Sequence, residues 1–252
     1  MSTQGCARIV KQGDPDRFLA TMAAPAHIRS AMFAVFAFNV EVTRAPWLTS
    51  EPMIAQIRLQ WWRDVLDDIS SREQVRRHEV ATALAQVLDC EGATVLDRLV
   101  QARGWDIYSE PFEDAQHFQR YIQATGGGLM WAAARAVGVR AGEQAIRQVG
   151  AAAGLANWLR AVPELTARGR KPLVDTQPDA ISALAREALR HLRSARKSVP
   201  RDARPVTRSG WQADRTLRSA AANPAAVASG RLHSSEFMKK LTLLMRVVAG
   251  AP

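Results

Sequence analysis

The sequence predicts an all-α protein of one domain. Three observations carry this. Apolar residues recur at a period near 3.6 through almost the whole chain, and no stretch alternates as a half-buried strand does. Hydrophobic residues make up 47% of 252 residues, enough for one large buried core. Composition marks no domain boundary, so the domain is taken as residues 1–252.

The elements follow in order. Asp14-Pro15 reads as an N-cap with proline at the first helical position. A second helix runs from about Ala26 into the Thr43 region. Met32, Phe33, Val35, Phe36 and Phe38 make it apolar on most sides, so it belongs inside the protein. From Pro52 to Ile69 the expected inward stripe is Ile54, Ile57, Trp61, Val65 and Ile69, widened by Trp62 and Leu66. Val80, Leu84 and Leu88 mark a further helix, and Val95, Leu96, Leu99 and Val100 another. Phe118 to Val137 reads as helix interrupted at Gly126-Gly127-Gly128, either a break or a close helix contact. Ile146, Val149, Ala153, Ala156 and Leu159 mark the next element, and Ile181 to Lys197 is amphipathic and basic. The stretch 198–230 is basic and rich in alanine and proline, and is expected to be loop and connector. The last helix, 236–249, is expected to turn Phe237, Leu241, Leu244, Met245 and Val248 inward.

Charge and composition narrow the function. The net charge is +10, which favours anionic partners. Arg186, Arg190, Arg193, Arg196, Lys197, Arg201, Arg204 and Arg208 cluster in the last third. They form a solvated basic face or a docking patch for an acidic lipid surface or a membrane protein complex. Nucleic acid is not expected as a partner. No zinc-finger, RNP or KH signature is present, and Trp61 and Trp62 lie on apolar stripes rather than among basic residues. No stretch of about 18 apolar residues lacks charge, as a spanning helix requires. Met1 to Asp14 has no secretory core, and Arg8 and Lys11 are too few for a mitochondrial presequence. A reducing, cytoplasmic setting fits the two cysteines, Cys6 and Cys90, with peripheral attachment to the inner face of a membrane.

The usual catalytic signatures are absent. His27, His78, His117, His191 and His233 are scattered without ligand spacing, and the triple glycine lacks the Lys-Ser/Thr of a phosphate loop. Asp64, Asp67 and Asp68 share a helix face and are weak metal candidates, with Arg58 and Arg63 beside them.

Several segments, taken together and in order, resemble the squalene/phytoene synthase family. They are Asp16-Arg17-Phe18-Leu19-Ala20, then Pro25, Arg29 and Ala31-Met32-Phe33-Ala34-Val35-Phe36-Ala37-Phe38-Asn39. Leu59-Gln60-Trp61-Trp62-Arg63-Asp64-Val65-Leu66-Asp67 follows, then Tyr121, Thr125-Gly126-Gly127, and Gly154-Leu155-Ala156-Asn157-Trp158-Leu159-Arg160 with Arg168-Gly169-Arg170. The resemblance covers most of residues 14 to 175. It implies a helical bundle around a central apolar cavity, and a prenyl or lipid ligand. It also implies two aspartate-rich walls that hold Mg²⁺ against a diphosphate leaving group.

This sequence departs from that pattern at both walls. The first motif places its aspartates on Thr43, Arg44 and Trp47, with Glu41 the only acid nearby. The second places them on Ala161 and Leu165, with Glu164 retained and Pro163 expected to kink or end the helix. A cation at Arg44 opposes a metal by Coulomb repulsion. Within the family, Leu59-Gln60-Trp61-Trp62-Arg63-Asp64 with Ser50-Glu51-Pro52 is similar to the branch of respiratory complex I assembly factors, which lack the full motifs. The resemblance therefore implies a non-catalytic scaffold or assembly factor with no cofactor. Its candidate cavity residues are Glu41, Arg44, Tyr121, Asn157, Arg160 and Glu164. The alternative is an active Mg-dependent prenyltransferase that uses other carboxylates.

Overall fold

A computed structural model describes residues 2–108 and 110–252. Met1, at the head of the stretch read for a leader, lies outside them. Helix α1 (Ser2–Gly13) was not foreseen. Asp14 caps α2 (Pro15–Met22): its Oδ1 accepts the Arg17 amide at 2.9 Å, and Pro15 opens the helix as expected. Helix α3 (Ala26–Arg44) is buried over most of its surface and forms the centre of the bundle. A 3₁₀ turn, Ala45–Trp47, leads to α4 (Pro52–Ser70).

The face that α4 buries is Ala55, Leu59, Trp62, Leu66 and Ile69 with Val65. This corrects the expected stripe: Ile54 and Ile57 point outward. Two stripes one residue apart share the same period, and only the position of α6 (Cys90–Arg103) against α4 selects between them. Between these two lies α5 (Glu79–Ala85), capped by His78.

Helix α7 (Ala115–Ile122) runs without a break into a π-helical segment, Gln123–Gly128, and on into α8 (Leu129–Ala136). The glycines widen the helix rather than ending it. The reason is helix α9 (Glu143–Ala167), which lies directly against them. A Cβ on Gly126 would stand 2.6 Å from the Gly150 carbonyl oxygen and 3.0 Å from the Gly154 Cα. Backbone meets backbone here, so no side chain fits. Pro163 does not end α9, which continues to Ala167. The lost amide bond, to the Leu159 carbonyl, falls one turn before the end of the helix, where buried Val162 and Leu165 hold the segment by packing.

The expected loop 198–230 is mostly helical. Helix α10 (Pro178–Lys197) is followed by α11 (Arg204–Thr207), α12 (Ala213–Ala222) and α13 (Ala225–Ala228), with 3₁₀ turns at Arg201–Ala203 and Arg208–Gly210. Prolines sit at first turns, where they are tolerated, and Leu217 and Ala220 bury α12 against α9 and α10. Helix α14 (Glu236–Val248) forms as expected but is rotated. Leu243 is the buried residue, while Phe237, Leu241, Leu244, Met245 and Val248 are exposed. Among the described residues no strand occurs, and no helix is long and apolar enough to cross a membrane.

Candidate functional site

A cavity of about 1160 Å³ opens between α2, the end of α3, the second half of α9 and the start of α14. The two walls identified from sequence both line it. Thr43, Arg44 and Trp47 line it from the end of α3 and the turn after it; Asn157, Arg160, Ala161, Glu164 and Leu165 line it from α9. Folding thus joins two segments more than 100 residues apart in the chain. Its lining is mixed, with apolar Leu19, Val40, Ile122 and Trp158 among many charged groups.

Five carboxylates line the cavity, and each is already held by a cation. Asp14 pairs with Arg17 at 2.6 Å. Asp16 is shared by Arg160 at 3.3 Å and Lys239 at 3.5 Å. Glu164 pairs with Arg168 at 2.6 Å, and Glu236 with Lys239 at 2.8 Å. Asp106 pairs with Arg103 at 2.9 Å. Mg²⁺ needs several free oxygen ligands in an octahedral shell. Carboxylates engaged in this way do not fit it, and the five positions where the family likeness places aspartates carry Thr43, Arg44, Trp47, Ala161 and Leu165. Arg44 itself is exposed and has no ion pair among the described residues.

The cavity floor is a buried polar knot. The Arg103 guanidinium donates to Asp106 at 2.9 Å and to the Tyr121 hydroxyl at 2.6 Å; Tyr121 donates to Asp106 at 2.8 Å. Burial pushes the Tyr121 phenol well above its ordinary value, so it stays neutral and donates. Burial alone would lower Arg103, but Tyr121 and Asp106 beside it leave it raised, a cation throughout. Arg170 donates to the Asp106 carbonyl and lies over the rings of Trp47, 5.1 Å from the centroid, and Trp105, at 5.5 Å. On the α3 wall the buried Asn39 Oδ1 and Thr43 Oγ1 have no hydrogen-bond partner among the described residues.

The sequence-predicted residues divide accordingly. Arg44, Tyr121, Asn157, Arg160 and Glu164 line the cavity together. Asn157 is exposed to it and accepts from Arg160 at 2.7 Å, rather than being a buried lock between helices. Glu41 does not line it. Asp64, Asp67 and Asp68 lie elsewhere on α4. Asp64 accepts from Gln60 at 2.7 Å and stands 3.9 Å from Arg76. Among the described residues no three His, Cys, Asp or Glu side chains gather as a metal site. Sequence reasoning missed Asp16, Arg103, Asp106, Arg168 and Lys239. The Arg103/Asp106 spacing of three was a readable signal; the Asp16–Arg160 pair, 144 residues apart, was not. A separate apolar groove of about 310 Å³ between α7, α9 and α10 holds none of the predicted site residues.

Comparison with known proteins accounts for this architecture. The family model for squalene/phytoene synthase matches residues 10–174. The chain belongs to the squalene/phytoene synthase family. Two solved family structures share its fold. A dehydrosqualene synthase in complex with ligand superposes with a TM-score of 0.77 at 15% identity, covering 98% of this chain and 95% of that one. A squalene synthase from Alicyclobacillus acidocaldarius gives 0.68 at 14%, covering 91% and 94%. The curated relatives it matches carry a different description. The complex I assembly factor 6 homolog of Drosophila melanogaster is 28% identical over 202 residues, 77% of this chain and 60% of that protein. Assembly factor 6 of NADH dehydrogenase (ubiquinone) complex I from Bos taurus is 27% identical over 66% of this chain and 50% of its own length. The human protein is 25% identical over 63% and 48%. The chain therefore spans only about half to three-fifths of the length of these relatives.

Proposed function

We propose that this protein is a non-catalytic member of the squalene/phytoene synthase family that assists assembly of a respiratory complex I-type membrane complex from the membrane surface. One observation carries the reading. The two walls that would hold metal face one cavity, and every carboxylate there is neutralised by a protein cation. Ionising an allylic diphosphate needs a metal cluster to take the leaving charge; the arginines supply fixed positive charge instead. Six cations line the cavity against five carboxylates: Arg17, Arg44, Arg103, Arg160, Arg168 and Lys239. The cavity is accordingly read as a metal-free site for an anionic head group, with a prenyl or lipid chain on the apolar lining. The descriptions of the curated relatives support the assembly role.

Three assays test this. Inorganic pyrophosphate should bind equally with EDTA or with Mg²⁺, and Arg44→Ala with Arg160→Ala should weaken it roughly tenfold, about 1.4 kcal/mol. Farnesyl or geranylgeranyl diphosphate with Mg²⁺ should give no condensed product by mass spectrometry. A chelator-sensitive C30 or C40 product would overturn the non-catalytic reading. Cells deleted for the chain should accumulate partial complex I assemblies; normal assembly would overturn the partner.

A further inference from the structure

Helix α14 packs the wrong way round for a water-soluble helix. Phe237, Leu241, Leu244 and Val248 follow at spacings of four, three and four, and Met245 widens the stripe. These positions share one face of a helix. They are 72%, 37%, 59%, 81% and 64% exposed in the order Phe237, Leu241, Leu244, Val248, Met245. The opposite face meets the protein. Leu243 and Val247 pack with Ala20 and Trp211, and Lys239 reaches Asp16. A whole apolar stripe thus looks outward.

Its surroundings are strongly basic. Arg204 donates to the Gly250 carbonyl at 3.3 Å, Arg208 to that of Ala251 at 3.0 Å, and Arg246 to that of Pro252 at 2.6 Å. Arg196 and Arg218 stand close to Arg246. Asp214 is bonded to Arg218 and stands 3.9 Å from Arg193; Arg208 is buried and Arg196, Arg204 and Arg246 are half-buried, so Arg193 and Arg218 are the cations of this group that face outward. Burial first, then the charge of Arg246, push Arg196 down to about 10. Lys240, on the flank of the stripe, is exposed.

We infer that α14 is an interfacial anchor: its apolar stripe enters an anionic lipid surface while the exposed Lys240 on its flank, with the exposed Arg193 and Arg218 of the neighbouring helices, meets phosphate head groups. An outward apolar face flanked by cations is the pattern of helices that lie in a membrane interface. A second copy of the chain is the poorer occupant, because each copy carries a net charge of +10 whereas an anionic surface complements it. A second exposed apolar group, Leu48, Met53 and Ile57, follows directly after the cavity-lining Arg44 and Trp47, just as Phe237 lies between the cavity-lining Glu236 and Lys239. The inference deepens the membrane-surface part of the proposed function and is independent of the assembly partner.

The test is co-sedimentation of the full chain with phosphatidylcholine vesicles, with and without phosphatidylglycerol. Binding is expected to the anionic vesicles, to be weak on neutral ones, and to fall with salt. Leu244→Glu with Val248→Glu should lower partition by at least about tenfold while the unfolding transition is unchanged. The milder pair Phe237→Ala and Leu244→Ala should give a smaller loss. Val174→Glu, an exposed apolar position away from α14, should have no effect. No binding to anionic vesicles, or equal binding by the Leu244/Val248 variant, overturns the anchor. A dimer that the same variant dissociates would assign the stripe to a second copy instead. No vesicle binding by the wild-type chain, with complex I assembly dependent on it in cells, would sink the anchor and leave the assembly reading standing.

Discussion

Helix α9 looks two ways. Toward the π-helical segment, Gly150 and Gly154 touch Gly126 backbone to backbone. Toward the cavity, Asn157, Arg160 and Glu164 make paired polar contacts through their side chains. The first face admits no substituent; the second is a set of exchangeable polar contacts. The difference explains how a family fold is kept at 15% identity while its metal ligands are absent. Sterics in the glycine seam fix α9 against the π-helical segment, whatever side chains its cavity face carries.

The cavity floor offers the sharpest challenge to that contrast, because there a lining charge is buried. Asp106→Ala would leave Arg103 in the interior without its carboxylate, and should cost about 4 kcal/mol in urea unfolding. A loss below about 1 kcal/mol would show that water reaches the knot. On the seam, Gly126→Ala should cost about 2 kcal/mol, since its methyl meets backbone that cannot rotate away. On the cavity face, Arg160→Ala should cost about 1 kcal/mol through its part-buried pair with Asp16. Glu164→Ala, with a largely exposed side chain, should stay within about 0.5 kcal/mol. The reverse order between Gly126 and Glu164 would break the comparison.

A pH profile separates floor from rim in another way. The Tyr121 phenol is held above its ordinary value of 10.0 by burial. A weak acid raised in the folded state contributes stability that is complete below about pH 10 and is lost as pH climbs through the folded value. Wild-type stability should therefore fall above pH 10, and Tyr121→Phe should flatten that fall. An unchanged slope would place the alkaline loss elsewhere, for example in Cys6, which burial raises to about 11.

Much of the site was legible before folding was considered. The walls could be read because Phe36-Ala37-Phe38-Asn39 and Asn157-Trp158-Leu159-Arg160 carry a recognisable order, and the structure sets both on one cavity. The partners of those residues were not legible. Asp16 lies in a segment quoted for its family likeness, yet nothing in its neighbourhood points to Arg160 or Lys239. Long-range ion pairs leave no periodic trace. The helices in 198–230 were also missed, because short proline-opened helices mimic loops and owe their existence to burial against α9 and α10.

What the sequence by itself determined is the helical class, the extent of α3, and which residues stand where the family likeness places aspartates, since period and residue identity are local properties. Tertiary structure alone decided which stripe turns inward. On α4 and α14 the 3.6-residue period is real, but a period defines a face without saying what that face meets. The partner helices answered for α4, where Ala55 and Leu59 go in and Ile54 and Ile57 stay out. For α14, Leu243 fits beside Ala20 and Trp211, Lys239 finds Asp16, and the larger apolar stripe is left facing outward.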